Sequence, residues 1–185
     1  MEVPDTPMVS AQEQKLRAVE QAVQQYSTDI YRVAYVLTKN AYDAADVMQE
    51  VFLKLLRREK AFASPEHERA WLIRAAVGRC HRLCSAPWRR KVVLREEMPE
   101  LLEPSSFQDK RDESVDLFNA VASLSYYQRL CIHLFYYEDL SVTQIGDITG
   151  LKEGTVRSHL SRGRSVLRRL LSEDMMPTEN KKEES

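Results

Sequence analysis

Apolar residues recur at i, i+3 and i+4 through most of the chain, the spacing of helices that bury one stripe, and alternating β-branched runs are few. The spacing predicts a first helix starting at residue 12 or 16 and running towards 37, a turn at Lys39 and Asn40, and a second helix over 41–58. In that second helix Ala44, Met48, Val51, Phe52 and Leu55 form the stripe expected to be buried, opposite Asp43, Asp46, Glu50, Leu53 and Arg57. Ser64 and Pro65 read as the cap and first residue of a third helix that ends before Pro87. Prolines at 87, 99 and 104 then break the pattern. Further helices are expected over 113–124 and 125–137, followed by a short one capped by Ser141 and ended by Gly150 in a left-handed conformation. A last helix starts within a few residues of Gly150. The expected fold class is all-α: two small helical domains, 16–86 and 113–173, joined by a flexible linker over 87–112, with tails at 1–15 and 174–185.

The last two helices carry a sharper signal. Ile145, Ile148, Leu151, Val156 and Leu160 are the apolar set expected where two short helices cross, and Gly146 is small enough to permit close approach. This is a helix-turn-helix pattern, whose second helix enters the major groove of DNA. On that helix Val156, Leu160, Gly163, Leu167, Leu170 and Leu171 share one stripe, while Arg157, Ser158, Ser161, Arg162, Ser165, Arg168 and Arg169 share the other. No acid between residues 154 and 171 balances those cations, which points to a polyanion. Arg157, Ser158, Ser161 and Arg162 are placed to reach base edges, with Thr155 beside them. Lys152, Arg164, Arg168 and Arg169 suit backbone contacts.

Charge sharpens this division. The 185 residues carry a net charge of only -1, yet cations collect at Arg79, Arg82, Arg89, Arg90, Lys91 and Arg95 with no acid between them, and again from Lys152 onwards. Acids fill the stretch between, at Glu96, Glu97, Glu100, Glu103, Asp109, Asp112, Glu113 and Asp116, which marks it as a linker. Leu53 amid carboxylates on the exposed face of the second helix is an apolar spot rimmed by charge, as a protein-binding surface would be. Three cysteines make no even-numbered framework and fit a reducing compartment. Cys80, His81 and Cys84 lack an evident fourth ligand, so no metal site is expected. No glycine-rich phosphate loop or nucleophile and base pairing stands out, so neither an enzyme nor a cofactor is expected. With no long apolar run and no signal-peptide start, the expectation is a cytoplasmic protein without membrane insertion.

AYDAADVMQEVFLKLLRR followed by AWLIRAA resembles the second conserved region of bacterial RNA polymerase sigma factors of the extracytoplasmic-function (ECF) group, and residues 117–171 resemble their fourth region. The resemblance covers most of residues 26–171 and implies a subunit that directs promoter-specific initiation. It implies docking on the clamp coiled coil and flap of core RNA polymerase, with Asp46, Gln49 and Glu50 at the clamp-contacting positions and Leu53 alongside them. It further implies that the first unit melts and reads the minus 10 element. There the loop over 60–65, with Lys60, Phe62 and Ser64, would capture an unstacked base beside Trp71, Arg74, Gly78 and Arg82. The second unit would read the minus 35 element. Two departures from the family pattern fall on the third helix: Gly78 stands where asparagine is usual and Val77 where a basic residue is common. Trp71 keeps a second reading as core, since an aromatic opening an amphipathic helix often packs inward. An anti-sigma protein is a further candidate partner. The alternative reading is a helix-turn-helix regulator that binds duplex DNA without joining polymerase.

Overall fold

The computed structural model describes residues 10–85 and 111–173, and the chain divides into two units near residue 95. The linker expected over 87–112 lies outside the described residues except for its last two positions, and the tail at 174–185 lies wholly outside them.

The first unit contains α1 (Ala11–Thr38), α2 (Ala41–Arg57) and α3 (Pro65–Ser85), each packed on the other two. Ser10 and Glu13 form a reciprocal capping box, in which the Glu13 amide donates to the Ser10 hydroxyl at 3.2 Å and the Ser10 amide donates to the Glu13 carboxylate at 2.9 Å. Residues 11–15, expected in the tail, are therefore helical. Lys39 takes the left-handed conformation at φ 56°, and the Asn40 side chain then caps α2 by accepting from the Asp43 amide at 2.9 Å. Ser64 accepts from the His67 amide at 3.2 Å and starts α3 at Pro65, as the sequence predicts. The core comes from residues 22–37 of α1, 44–55 of α2 and 72–80 of α3, with Ile30, Leu37, Val47, Val51, Leu72 and Ile73 almost wholly enclosed. One stripe position differs: Val47 is buried in α2 and Met48 only half-buried. Because α1 and α3 both cover α2, the stripe centres on 44, 47, 51 and 55, at the 3-4-4 spacing of one helix face.

The second unit contains α4 (Arg111–Ser123), α5 (Tyr126–Tyr136), α6 (Val142–Thr149) and α7 (Glu153–Glu173). α7 packs on the other three. Six consecutive residues of α5, from Arg129 through Leu134, are buried, and the two polar ones among them, Arg129 and His133, meet polar groups inside. The Arg129 guanidinium donates to the carbonyls of Leu124 at 2.7 Å and Ala122 at 3.2 Å, capping the open end of α4. His133 lies 3.3 Å from the buried Glu138 carboxylate in the loop that follows. The helix-turn-helix is formed by α6 and α7. Ser141 and Gln144 make a capping box at its start, and Gly150 ends α6 at φ 74°. The Thr149 hydroxyl donates to the Ile145 carbonyl at 2.7 Å and accepts from the Leu151 amide at 3.3 Å, so it helps close the turn. Gly146 is needed for a reason other than a helix crossing: a Cβ there would sit 3.0 Å from the Leu151 carbonyl oxygen of the turn. The tight crossing is at Gly163, where a Cβ would lie 2.9 Å from Ile132 of α5. Among the described residues no helix is long and apolar enough to cross a membrane.

Candidate nucleic-acid and polymerase interfaces

α7 separates its two faces as its periodicity requires. Val156, Leu160 and Gly163 are buried, while Thr155, Arg157, Ser161, Arg162 and Arg164 are exposed and Ser158 is half-buried. Lys152, just before the helix, is exposed and caps it through its carbonyl, which accepts from the Thr155 and Val156 amides at 2.8 and 3.0 Å. The seven residues expected to meet DNA thus lie on or beside the first three turns of one helix. Arg157 is not without a counter-charge, however. Glu153, one residue upstream of the acid-free stretch, accepts from it at 2.8 Å and from the Thr143 hydroxyl of α6 at 2.7 Å. These bonds, Thr143's first, hold the Glu153 carboxyl below the usual carboxylate range. Arg164 turns back on its own helix, its Nε donating to the Leu160 carbonyl at 3.3 Å. Sequence reasoning passed over His159, whose ring stacks on Tyr127 at 5.6 Å between centroids. Burial, then the Arg162 charge, pushes its imidazole pKa down.

In the first unit the α2–α3 loop and the start of α3 bring aromatic and cationic groups together. The Phe62 and Trp71 rings are 5.6 Å apart, and both are half-buried, so Trp71 is not a core residue. The Arg58 guanidinium lies 4.4 Å from the Phe62 ring centre and 5.2 Å from that of Trp71, and the Lys54 ammonium lies 5.5 Å from Trp71. Arg58 Nε is buried and has no hydrogen-bond partner. The sequence reading missed both cations, although Lys54 lies in the last turn of α2 and Arg58 is the residue that ends it, leading into the loop. Beside this cluster an open cleft of about 490 Å³ runs between α1 and the loop, lined by Lys15, Val19, Arg58, Lys60, Phe62 and Glu68 among others. Burial raises the carboxyl pKa of Glu68 there. Ser64 serves chiefly as a cap, since its hydroxyl already accepts from His67. Trp71, Arg74, Gly78 and Arg82 follow at 3-4-4 spacing along one face of α3, with Arg74 and Arg82 exposed. The bare backbone at Gly78 is covered from one side by Arg82, whose Nη1 would lie 4.0 Å from a Cβ placed there.

The exposed face of α2 carries Asp46, Gln49, Glu50 and Leu53, with Leu53 43% exposed. Tyr42, 79% exposed, stands on the same stripe at the 42, 46, 49, 53 spacing and extends it. Arg79, grouped by sequence with the open cations of α3, faces this stripe instead. Its Nη2 donates to Glu50 Oε1 at 2.7 Å, its Nε donates to Glu50 Oε2, and Nη2 lies 3.7 Å from Asp46 Oδ2. The Arg79 hydrogen bonds hold the Glu50 carboxyl below its usual pKa. On the far side of α3, Cys80 is buried, with burial pushing its thiol up to about 12, and Cys84 donates to the Leu37 carbonyl at 3.6 Å. Among the described residues no group of three or more potential ligands is placed to hold a metal.

Residues 22–90 match the Sigma-70 region 2 family and residues 114–167 the Sigma-70, region 4 family. Among curated proteins, the chain is 31% identical to the ECF RNA polymerase sigma factor SigE of Mycolicibacterium smegmatis over 86% of its own length and 63% of that protein's. It is 30% identical to the RNA polymerase sigma factor SigV of Bacillus subtilis over 81% of this chain and 89% of that one. Among solved structures, the fold is similar to the sigma factor RpoE of Bartonella quintana, at a TM-score of 0.70 and 22% identity, covering 85% of this chain and 99% of that one. Two sigma regions in this order, together with 30% identity to the ECF RNA polymerase sigma factor SigL of Mycobacterium tuberculosis over 80% of this chain and 86% of that one, settle the family: the chain belongs to the ECF group of RNA polymerase sigma factors.

Proposed function

We propose that this chain mounts on core RNA polymerase and grips a promoter at two places. In the second unit, α7 enters the major groove of the minus 35 element. Arg157, Ser158, Ser161 and Arg162 read bases there with Thr155, while Lys152 and Arg164 hold backbone. In the first unit, the cleft beside Lys60 and Phe62 takes an unstacked base of the minus 10 element. The Arg58, Phe62 and Trp71 cluster offers it a stacking surface, and Arg74 and Arg82 track the strand past Gly78 and the Ser64-capped start of α3. Asp46, Gln49, Glu50 and Leu53 dock on the polymerase clamp, and the second unit meets the flap. The acidic linker over 87–112 lets the two units, taken as 16–86 and 113–173, reach their elements.

The observation that carries this reading is the half-exposed pairing of Phe62 and Trp71 under two cations, beside an open cleft. A regulator confined to duplex DNA has no use for a stacking platform, because paired bases present edges and not faces. Anti-sigma control is part of the proposal: RpoE was solved with the anti-sigma factor NepR, and CnrH, a second structural relative at a TM-score of 0.61, with the cytosolic domain of CnrY.

The test uses holoenzyme reconstituted with Trp71→Ala and two promoter fragments, one fully paired and one with the minus 10 region opened by mismatches. Loss of a stacking partner is expected to weaken binding to both fragments by about 1–3 kcal/mol. Unchanged binding to the opened fragment would reject the platform.

A further inference from the structure

Asp46 and Glu50 stand at i, i+4 on α2, a spacing at which like charges repel, and Arg79 reaches across from α3 to both. We propose that Arg79 is a positioning residue for polymerase docking, which holds the Glu50 and Asp46 carboxylates outward in one arrangement and is not itself a DNA contact. The inference rests on the docking role given above to that face. Exposure supports it: the Arg79 side chain is 23% exposed, against 45% for Glu50 and 59% for Asp46. The cation therefore lies beneath and the acids outside. A carboxylate offers about four lone-pair sites, and the guanidinium fork occupies one on each Glu50 oxygen, which leaves the others free to face a partner's cations. A glutamate fixed in this way has lost its rotamer freedom before docking, and preorganisation of that kind lowers the cost of binding. Lysine cannot reproduce the arrangement, because a single ammonium does not engage both oxygens in parallel.

The test measures the affinity of full-length protein for core RNA polymerase without DNA, which removes any direct contribution of Arg79 to promoter binding. Arg79→Gln is expected to weaken binding about 3- to 10-fold, and Arg79→Lys to weaken it less. Glu50→Gln should weaken it too, and in the Arg79→Gln/Glu50→Gln double variant the Arg79 change should cost much less than it does alone, since most of its effect passes through the paired Glu50 carboxylate and only the remainder through Asp46. Circular dichroism and melting temperatures of the variants should stay close to the parent, and Arg79→Lys keeps the charge should Arg79→Gln impair folding. If Glu50→Gln weakens binding while Arg79→Gln leaves it unchanged or tightens it, the positioning role is overturned and the docking face stands. Additive losses in the double variant would overturn it equally. If Glu50→Gln itself has no effect, the docking face falls and the role of Arg79 falls with it.

Discussion

Arg157 and Arg162 stand about one and a half turns apart on the exposed face of α7, yet the structure treats them differently. Arg157 is tethered through Glu153 to Thr143 of α6, whereas Arg162 projects further along the helix next to the half-buried His159. A tethered guanidinium has a preset direction, which suits bidentate reading of one base. Replacing Arg162 separates reading from positioning. Arg162→Ala is expected to cost about 1–3 kcal/mol on promoters with the preferred base at its position and little on others, so that sequence preference there flattens. Lys152→Ala should instead weaken all promoters alike and reduce the log-log salt slope by about 0.9. Competition binding of holoenzyme to minus 35 variants at two salt concentrations checks both. Equal losses across all sequences for Arg162→Ala would move it to the backbone class.

At the scale of elements, most helices could be read from the chain because their signals are local. Ser64 with Pro65, Ser141 with Gln144 and Gly150 each fix a terminus through groups within a few residues, and the apolar periodicity fixes the buried face. What could not be read depends on residues far apart in sequence. Arg79 meets Glu50 across 29 positions, and nothing near it distinguishes it from the cations that follow. Trp71 lies outside the core because Phe62 and two cations at the end of α2, Lys54 and Arg58, receive it at the surface, an arrangement that exists only once the loop has folded. The start of α1 was legible in principle, since Ser10 and Glu13 have capping-box spacing, but the prolines just upstream obscured it. Gly163 carries an element-scale prediction. With Ile132 at 2.9 Å from a Cβ position, Gly163→Leu forces α7 off α5 and is expected to destabilise the second unit by about 1–3 kcal/mol or more, read by chemical denaturation. A variant as stable as the parent would mean that Ile132 can rotate away.

For the whole molecule, near-neutrality conceals segregation: a cationic helix in one unit, and in the other an acidic face on α2 and an aromatic and cationic cluster at the loop. Each of these surfaces is small, and none would define a promoter alone. Family membership and the two surfaces of the first unit together favour a polymerase subunit over a free-standing regulator. Promoter choice is expected to appear only when both units act on polymerase. This is tested most directly by mapping transcripts that core RNA polymerase makes from a randomised promoter library with and without the full-length chain. New, defined start sites that depend on the chain are expected, with sequence preference in two separated upstream elements. That dependence is contradicted if the chain adds no start sites while binding duplex DNA tightly on its own.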